Sequence, residues 1–109
     1  MTYRLEIGRK AAREIRLCFD RLRRYSFATA EKYERALEQA IDAYLIDPPI
    51  TFGYYWETGA PNRAFLFTLS PHTAYWVIYR IFEDEDEDEG VVRVIAFRSA
   101  SAEPGTHGL

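Results

Sequence analysis

The sequence is poor in cysteine and has no long apolar run. Cys18 is the single cysteine, so the chain cannot form an internal disulfide, whereas small secreted domains often depend on such bridges. No stretch approaches the roughly 18 apolar residues of a membrane span, and the N-terminal MTYRLEIGRK lacks the apolar core of a signal peptide. These absences predict a cytoplasmic protein without a membrane segment.

The length and the apolar content fit one domain. The chain has 109 residues, of which 48% are hydrophobic and 16% aromatic, enough to build one core without disulfide or metal support. The last residues are polar and include Pro104, Gly105 and Gly108. We therefore predict a single domain over residues 1–98 and a flexible tail over residues 99–109.

The net charge of −3 conceals two segments of opposite sign. Residues 83–89 form an uninterrupted acidic run, whereas arginine dominates residues 1–25. The acidic run lacks the glycine and the ligand spacing of a calcium loop. We interpret it as a solvated, mobile hairpin turn, with nucleic-acid mimicry or cation binding as the alternatives.

Hydrophobic periodicity predicts six elements. Alternation over Tyr3–Ile7 indicates a strand, and apolar residues at helical spacing indicate helices over Arg9–Tyr25 and from about Thr29 to Leu45. Three strands rich in aromatic and β-branched residues follow, over Arg63–Leu69, Ala74–Phe82 and Val91–Phe97. This order predicts an α+β fold, β-α-α-β-β-β, with a helical hairpin packed on a mainly antiparallel four-stranded sheet.

The order of elements and several local motifs resemble the RelE/ParE toxin superfamily of type II toxin–antitoxin systems. The opening YRLEIGRKAAREI is similar to the family's first strand and the start of its first helix, and YWVIYR at 75–80 resembles its third strand. Residues 92–104 resemble the terminal strand and the R-H-x-x-R-D-P ending of many ParE-like members. The resemblance extends over essentially the whole chain and favours the ParE-like branch.

The resemblance implies a toxin that forms a hetero-oligomer with a cognate antitoxin and needs no cofactor. In the ParE-like branch the implied target is DNA gyrase, inhibited by protein binding, with no membrane association and no specific DNA binding by the toxin alone. Ser99, Ala102 and Glu103 stand where the family's ending has His, Arg and Asp. This difference leaves open a degenerate member that binds antitoxin but is not toxic.

An enzyme is the alternative from the RelE branch, whose members cleave mRNA on the ribosome. Such cleavage needs a base for the 2′-hydroxyl, cations for the charge that builds on phosphorus, and an acid for the leaving oxygen. No lysine follows Lys32, Glu57 is the only charged residue of the loop at 50–62, and Leu69 occupies the position nearest a sheet arginine of RelE. The remaining catalytic candidates on the strands are Arg63, Arg80 and Arg98. A protein-binding toxin is therefore the favoured interpretation, and we predict no metal site.

Several residues are candidates for binding the antitoxin or the target. The helical stripe of Arg9, Arg13 and Arg16 either meets an acidic antitoxin segment or is a solvated face. Tyr55 and Trp56 either are exposed interface anchors or cover the core beneath the long loop. The strand arginines, Arg63, Arg80 and Arg98, either form one anion-binding patch or are ordinary surface arginines paired with acidic neighbours.

Overall fold

A computed structural model describes residues 2–46, 49–55, 61–70, 73–84 and 86–100. The described part of the chain runs through six elements in the predicted order, so the β-α-α-β-β-β prediction is confirmed. The elements are β1 (Thr2–Ile7), α1 (Arg9–Arg23), α2 (Phe27–Leu45), β2 (Arg63–Ser70), β3 (Thr73–Asp84) and β4 (Glu89–Ser99).

The four strands form one mixed sheet in the order β1-β4-β3-β2. The three C-terminal strands are antiparallel neighbours, and β1 pairs in parallel with β4. The helical hairpin supplies the long connection that a parallel strand needs before the chain returns to the sheet. β1 and β2 are consequently the two edge strands.

The helical hairpin has a tight, capped turn. The hydroxyl of Ser26 accepts a hydrogen bond from the amide of Thr29 at 3.2 Å, which satisfies one of the free donors at the start of α2. The amides of Tyr25 and Ser26 both bond to the carbonyl of Leu22, and this closes α1. So short a link makes α1 and α2 antiparallel neighbours.

The main core lies between the helices and one face of the sheet. Phe19 is fully buried on α1, and its ring lies 6.5 Å from that of Phe97 on β4. Glu14 also bonds to this strand, because its carboxylate accepts the amide of Phe97 at 3.1 Å. The other buried members of this core include Leu37, Ile41, Leu45, Phe65, Val77, Tyr79, Val92 and Val94.

No helix of the described residues covers the opposite face of the sheet, which has a smaller apolar cluster. Ile78 and Ala96 face each other across β3 and β4 and are almost fully buried. Tyr55 covers them from the segment before β2, and Trp76 packs beside it. We call this side the open face.

The acidic run is not confined to a turn. Glu83 and Asp84 belong to β3 and Glu89 to β4, with Asp84 directly opposite Glu89. The predicted turn over 83–89 is therefore too long, because the backbone ladder continues beyond Phe82. Asp88 adopts a positive φ of 51°, which a short polar side chain tolerates better than most.

Residues outside the described ranges include Trp56, Glu57 and His72. Ala100 is the last described residue, and its amide donates to the carbonyl of Ala74 at 2.9 Å. In the described part of the chain, neither helix combines the length and the apolar character that crossing a bilayer requires.

Candidate functional site

Arg63 fastens the segment before β2 to the sheet. One guanidinium nitrogen donates to the carbonyl of Phe52 at 2.7 Å, and a second donates to the hydroxyl of Tyr54 at 3.1 Å. The guanidinium also lies 4.2 Å from the centre of the Tyr54 ring. Much of its donor capacity is therefore used within the protein.

Tyr79 completes this attachment from the neighbouring strand. It lies directly opposite Arg63, its hydroxyl donates to the carbonyl of Ile50, and it accepts the amide of Phe52 at 3.1 Å. Burial raises the pKa of Tyr79 above its usual value, so the hydroxyl stays protonated as the donor that Ile50 requires. Arg63 and Tyr79 together hold residues 50–54 against the edge of β2.

Arg80 and Arg98 lie on the open face, whereas Arg63 shares the helix-covered side of the ladder with Tyr79. Arg98 is opposite Trp76, four residues from Arg80 along β3, so these two arginine positions are roughly 13 Å apart at the usual rise per strand residue. The structure therefore does not bring the three catalytic candidates into one patch. Arg98 instead lies beside the ring of Tyr55, 5.9 Å from its centre.

Arg63 and Arg80 do meet at one cleft beside the edge of β2. This cleft has a volume of about 460 Å³ and is lined by the two arginines together with Thr51, Tyr54 and Glu83, among others. Two of the three strand arginines thus line a common cavity there.

A cluster of charges surrounds Phe82 on the open face. The guanidinium groups of Arg80 and Arg93 lie 5.4 and 5.0 Å from the ring centre, within the range of cation–π attraction. Arg93 also bonds to Glu6 at 2.9 Å, and Arg4 bonds to the same carboxylate at 3.0 Å. Hydrogen bonds from Arg93 and then Arg4 lower the pKa of Glu6, so this carboxylate stays ionised at neutral pH.

Of the two aromatic candidates for binding, Tyr55 and Trp56, the structure describes only Tyr55. Tyr55 is only 7% exposed and packs on Ile78 and Trp76, so it covers the sheet and is not an exposed anchor. Trp56 lies outside the described residues, and its role stays a prediction.

The basic stripe on α1 is present as a continuous exposed surface. Arg9, Arg13 and Arg16 are exposed and line a shallow depression together with Lys10. None of them forms an ion pair with another described residue. This stripe is therefore available to an acidic partner.

A groove with a volume of about 800 Å³ lies between α1, α2 and β1. The periodicity of the sequence did not predict this groove, because the groove depends on the distance between the helical hairpin and the edge of the sheet. Its floor is apolar, and Ile7 at the edge is 40% exposed. The apolar lining consists of Leu5, Ile7, Ala12, Ile15, Leu37 and Ile41.

The two sides of this groove differ in charge. Glu34, Glu38 and Asp42 form an acidic rim along α2, where residues four apart share one face. Glu34 is neutralised by Arg23 at 2.6 Å, but Glu38 and Asp42 have no ion pair with any described residue. On the α1 side Arg16 lines both the groove and the basic depression. Asp20 and Arg23 line the α1 side as well, but they pair with each other at 2.7 Å. Among the described residues, the groove thus carries two unpaired carboxylates on α2 and one unpaired guanidinium, that of Arg16, on α1.

The described residues contain no group of three side chains that could hold a metal ion. The apolar floor and the opposite charges of the groove suit a protein segment better than a small polar substrate. Among the candidate residues, Arg16 lines this groove, and Arg9 and Arg13 line the adjoining depression with it.

The attachment role of Arg63 leads to a stability prediction. Replacing Arg63 with alanine is expected to lower the free energy of unfolding by about 1–3 kcal/mol, because it removes charged hydrogen bonds to Phe52 and Tyr54. Arg80→Ala is the matched control, with an expected change of about 0.5 kcal/mol or less. Urea unfolding measures both, and equal stability of the two variants would contradict the structural role of Arg63.

Comparison of the chain with protein-family models finds no matching family. Searches of curated proteins and of solved structures also find no significant match. The function is therefore inferred from the residues and their geometry.

Proposed function

We propose that this protein is the toxin of a type II toxin–antitoxin pair, related to the RelE/ParE superfamily and closest to its ParE-like branch. It acts in the cytoplasm by binding DNA gyrase, and a cognate antitoxin neutralises it. The observation that carries the proposal is the groove between α1, α2 and β1, which combines an apolar floor with the carboxylates of Glu38 and Asp42 on α2 and the guanidinium of Arg16 on α1. The β-α-α-β-β-β layout supports it as well, since this is the order that the resemblance implies.

Protein binding fits the geometry better than phosphoryl chemistry. Cleavage of RNA needs several cations directed at one phosphate, but Arg63 is engaged by Phe52 and Tyr54, and Arg80 and Arg98 are far apart. Removing one such donor typically lowers a rate by ~10²–10³. A binding toxin needs none of these groups in a common site.

The groove indicates the kind of antitoxin segment that fits. An amphipathic helix about 10–12 Å wide would place apolar residues over Leu5, Ile15 and Ile41. Acidic residues on one flank would face Arg16, and basic residues on the other would face Glu38. Such helix-in-groove recognition is a common mode of peptide binding.

A substitution that fills the groove is expected to weaken binding of the antitoxin. Ala12 is exposed and lines the groove, so Ala12→Trp fills it without removing a core residue. We expect affinity for the product of the adjacent reading frame to fall by about 30–100-fold, the size of a hot-spot loss. Titration calorimetry with the purified neighbouring gene product measures this change.

Ala28→Trp is the matched control, because Ala28 is an exposed alanine of α2 outside the groove. It is expected to bind as tightly as the unchanged protein. Equal affinity of both tryptophan variants would place the antitoxin elsewhere, and failure of any neighbouring product to bind would argue against a toxin–antitoxin pair.

A second candidate is a ribosome-dependent mRNA endonuclease. The observation in its favour is the cleft that Arg63 and Arg80 line together with Tyr54. This candidate predicts codon-phased mRNA cleavage after induction, lost on Arg80→Ala.

A further inference from the structure

β1 leaves one edge of the sheet open. It pairs with β4 on one side, and in the part of the chain that the structure describes no strand pairs with its other side. An open edge presents unpaired backbone groups and favours association with another strand, unless the side chains oppose it. Whether another strand can pair with this edge therefore depends on the side chains of β1.

The bonds to β4 determine which residues of β1 face the open edge. The amides of Thr2 and Gly8 donate to the carbonyls of Asp88 and Val94, at 3.4 and 2.9 Å. Residues along a strand direct their N–H and C=O groups to the two sides in alternation. The backbone groups of the even-numbered residues therefore bond to β4, whereas Tyr3, Leu5 and Ile7 direct their backbone groups toward the open edge.

We propose that β1 pairs antiparallel with β1 of a second copy of this chain, with Leu5 opposite Leu5 of the second copy. Each outward-facing residue then meets an outward-facing residue, because Tyr3 of each copy lies opposite Ile7 of the other. Each of these pairs exchanges two backbone hydrogen bonds, as in a regular antiparallel ladder. The result is one continuous sheet across a two-fold axis, a closed arrangement that needs no further copy.

The charged side chains of β1 favour the register centred on Leu5 over those centred on Arg4 or Glu6. With Leu5 at the centre, Arg4 of each copy lies opposite Glu6 of the other, on the open face of the joined sheet. Shifting the centre to Arg4 or to Glu6 also satisfies the backbone, but it places like charges directly opposite each other. Opposite charges across strands stabilise a pair and like charges destabilise it.

The apolar side chains agree with the same register. Ile7 is 40% exposed at the edge of the sheet, and in this pairing the Tyr3 ring of the second copy covers it. A single six-residue strand buries less than the ~1,200 Å² of a standard stable interface. The dimer is therefore concentration-dependent, with a dissociation constant on the order of micromolar.

Charge reversal tests the dimer by sedimentation velocity over a range of protein concentrations. Arg4→Glu and Glu6→Arg each place like charges opposite one another, and each is expected to weaken the dimer at least tenfold. The double variant Arg4→Glu/Glu6→Arg restores opposite charges across the axis and is expected to recover dimerisation. Arg35→Glu is the matched control, since Arg35 is an exposed arginine of α2 that has no ion pair with any described residue. It is expected to leave the dimer in place.

Cross-linking tests the register independently, in a Cys18→Ser background. Directly opposite positions in this ladder lie within the Cα distance that a disulfide requires. A mixture of an Arg4→Cys variant with a Glu6→Cys variant is therefore expected to form a disulfide-linked heterodimer on mild oxidation, and neither variant alone should do so. Circular dichroism of each variant confirms that it is folded.

A protein that stays monomeric at every concentration would overturn the proposal. So would a dimer that is insensitive to Arg4→Glu, or one that cross-links through Arg4→Cys alone or Glu6→Cys alone. None of these results depends on toxicity or antitoxin binding, so this dimer and the proposed function can fail separately.

Discussion

Replacing Phe19 with alanine is expected to lower the free energy of unfolding by about 3–5 kcal/mol, the usual cost of removing a buried aromatic ring. Phe19 is fully buried and packs on Phe97, so its ring links α1 to the centre of the sheet. Small domains have about 5–15 kcal/mol of stability in total. The variant is therefore expected to be only marginally folded near room temperature.

Leu17→Ala is the matched control, because Leu17 lies on the same helix and is 53% exposed. Its expected change is about 0.5 kcal/mol or less. Urea unfolding followed by circular dichroism measures both variants. A similar stability for the two would contradict the packing of α1 against the sheet through Phe19.

The stability of the protein is also expected to fall in alkaline solution. Burial, reinforced by a hydrogen bond with Cys18, raises the pKa of Tyr75 from 10.0 to about 12. Because the folded-state pKa is the higher one, the folded state holds the phenolic proton more tightly than the unfolded chain does. The associated stability is complete below about pH 10 and is lost as the pH rises toward 12, by about 1–2 kcal/mol because solvent screens this partly exposed hydroxyl.

Tyr75→Phe isolates this contribution, since it keeps the ring that stacks on Phe97 at 4.5 Å and removes the titrating hydroxyl. We expect the variant to lose less stability than the unchanged protein between pH 9 and pH 12. Tyr25→Phe, at a tyrosine that is 85% exposed, should lose as much as the unchanged protein. Identical alkaline profiles for all three proteins would show that Tyr75 titrates normally.

The order of the elements could be predicted from the sequence because each element carries its own local signal. Alternation at Tyr3, Leu5 and Ile7 indicated β1, and helical spacing indicated both helices. The cap of α2 is local as well, because the hydroxyl of Ser26 accepts the amide of Thr29 three residues later. Such signals depend on residues close in sequence, so they need no knowledge of the tertiary packing.

The roles of the candidate residues depend on contacts that the sequence does not encode locally. The sequence shows Arg63 only as an arginine at the start of a strand. Its hydrogen bonds to Phe52 and Tyr54 become apparent only in the structure. Tyr55 covers the open face because Tyr54 pairs with Arg63 at the edge of β2 and the next residue along an extended chain faces the other side. The length of the acidic turn was overestimated because backbone pairing continues through Asp84 and Glu89 despite their like charges.

The groove combines residues from three elements, so only the tertiary arrangement reveals it. One signal was available in advance, because Glu34, Glu38 and Asp42 follow each other at intervals of four on a predicted helix. That spacing predicts an acidic face, but not that Leu5 and Ile7 of a distant strand lie beside it.

The most direct test of the account is the effect of the purified protein on DNA gyrase. The protein is incubated with gyrase, ATP and supercoiled plasmid, and cleavage complexes are trapped with detergent and protease. The account predicts linear plasmid that requires both gyrase and this protein, and that Arg80→Ala does not abolish. Unchanged gyrase activity and no linear DNA, even with this protein in excess over gyrase, would contradict it.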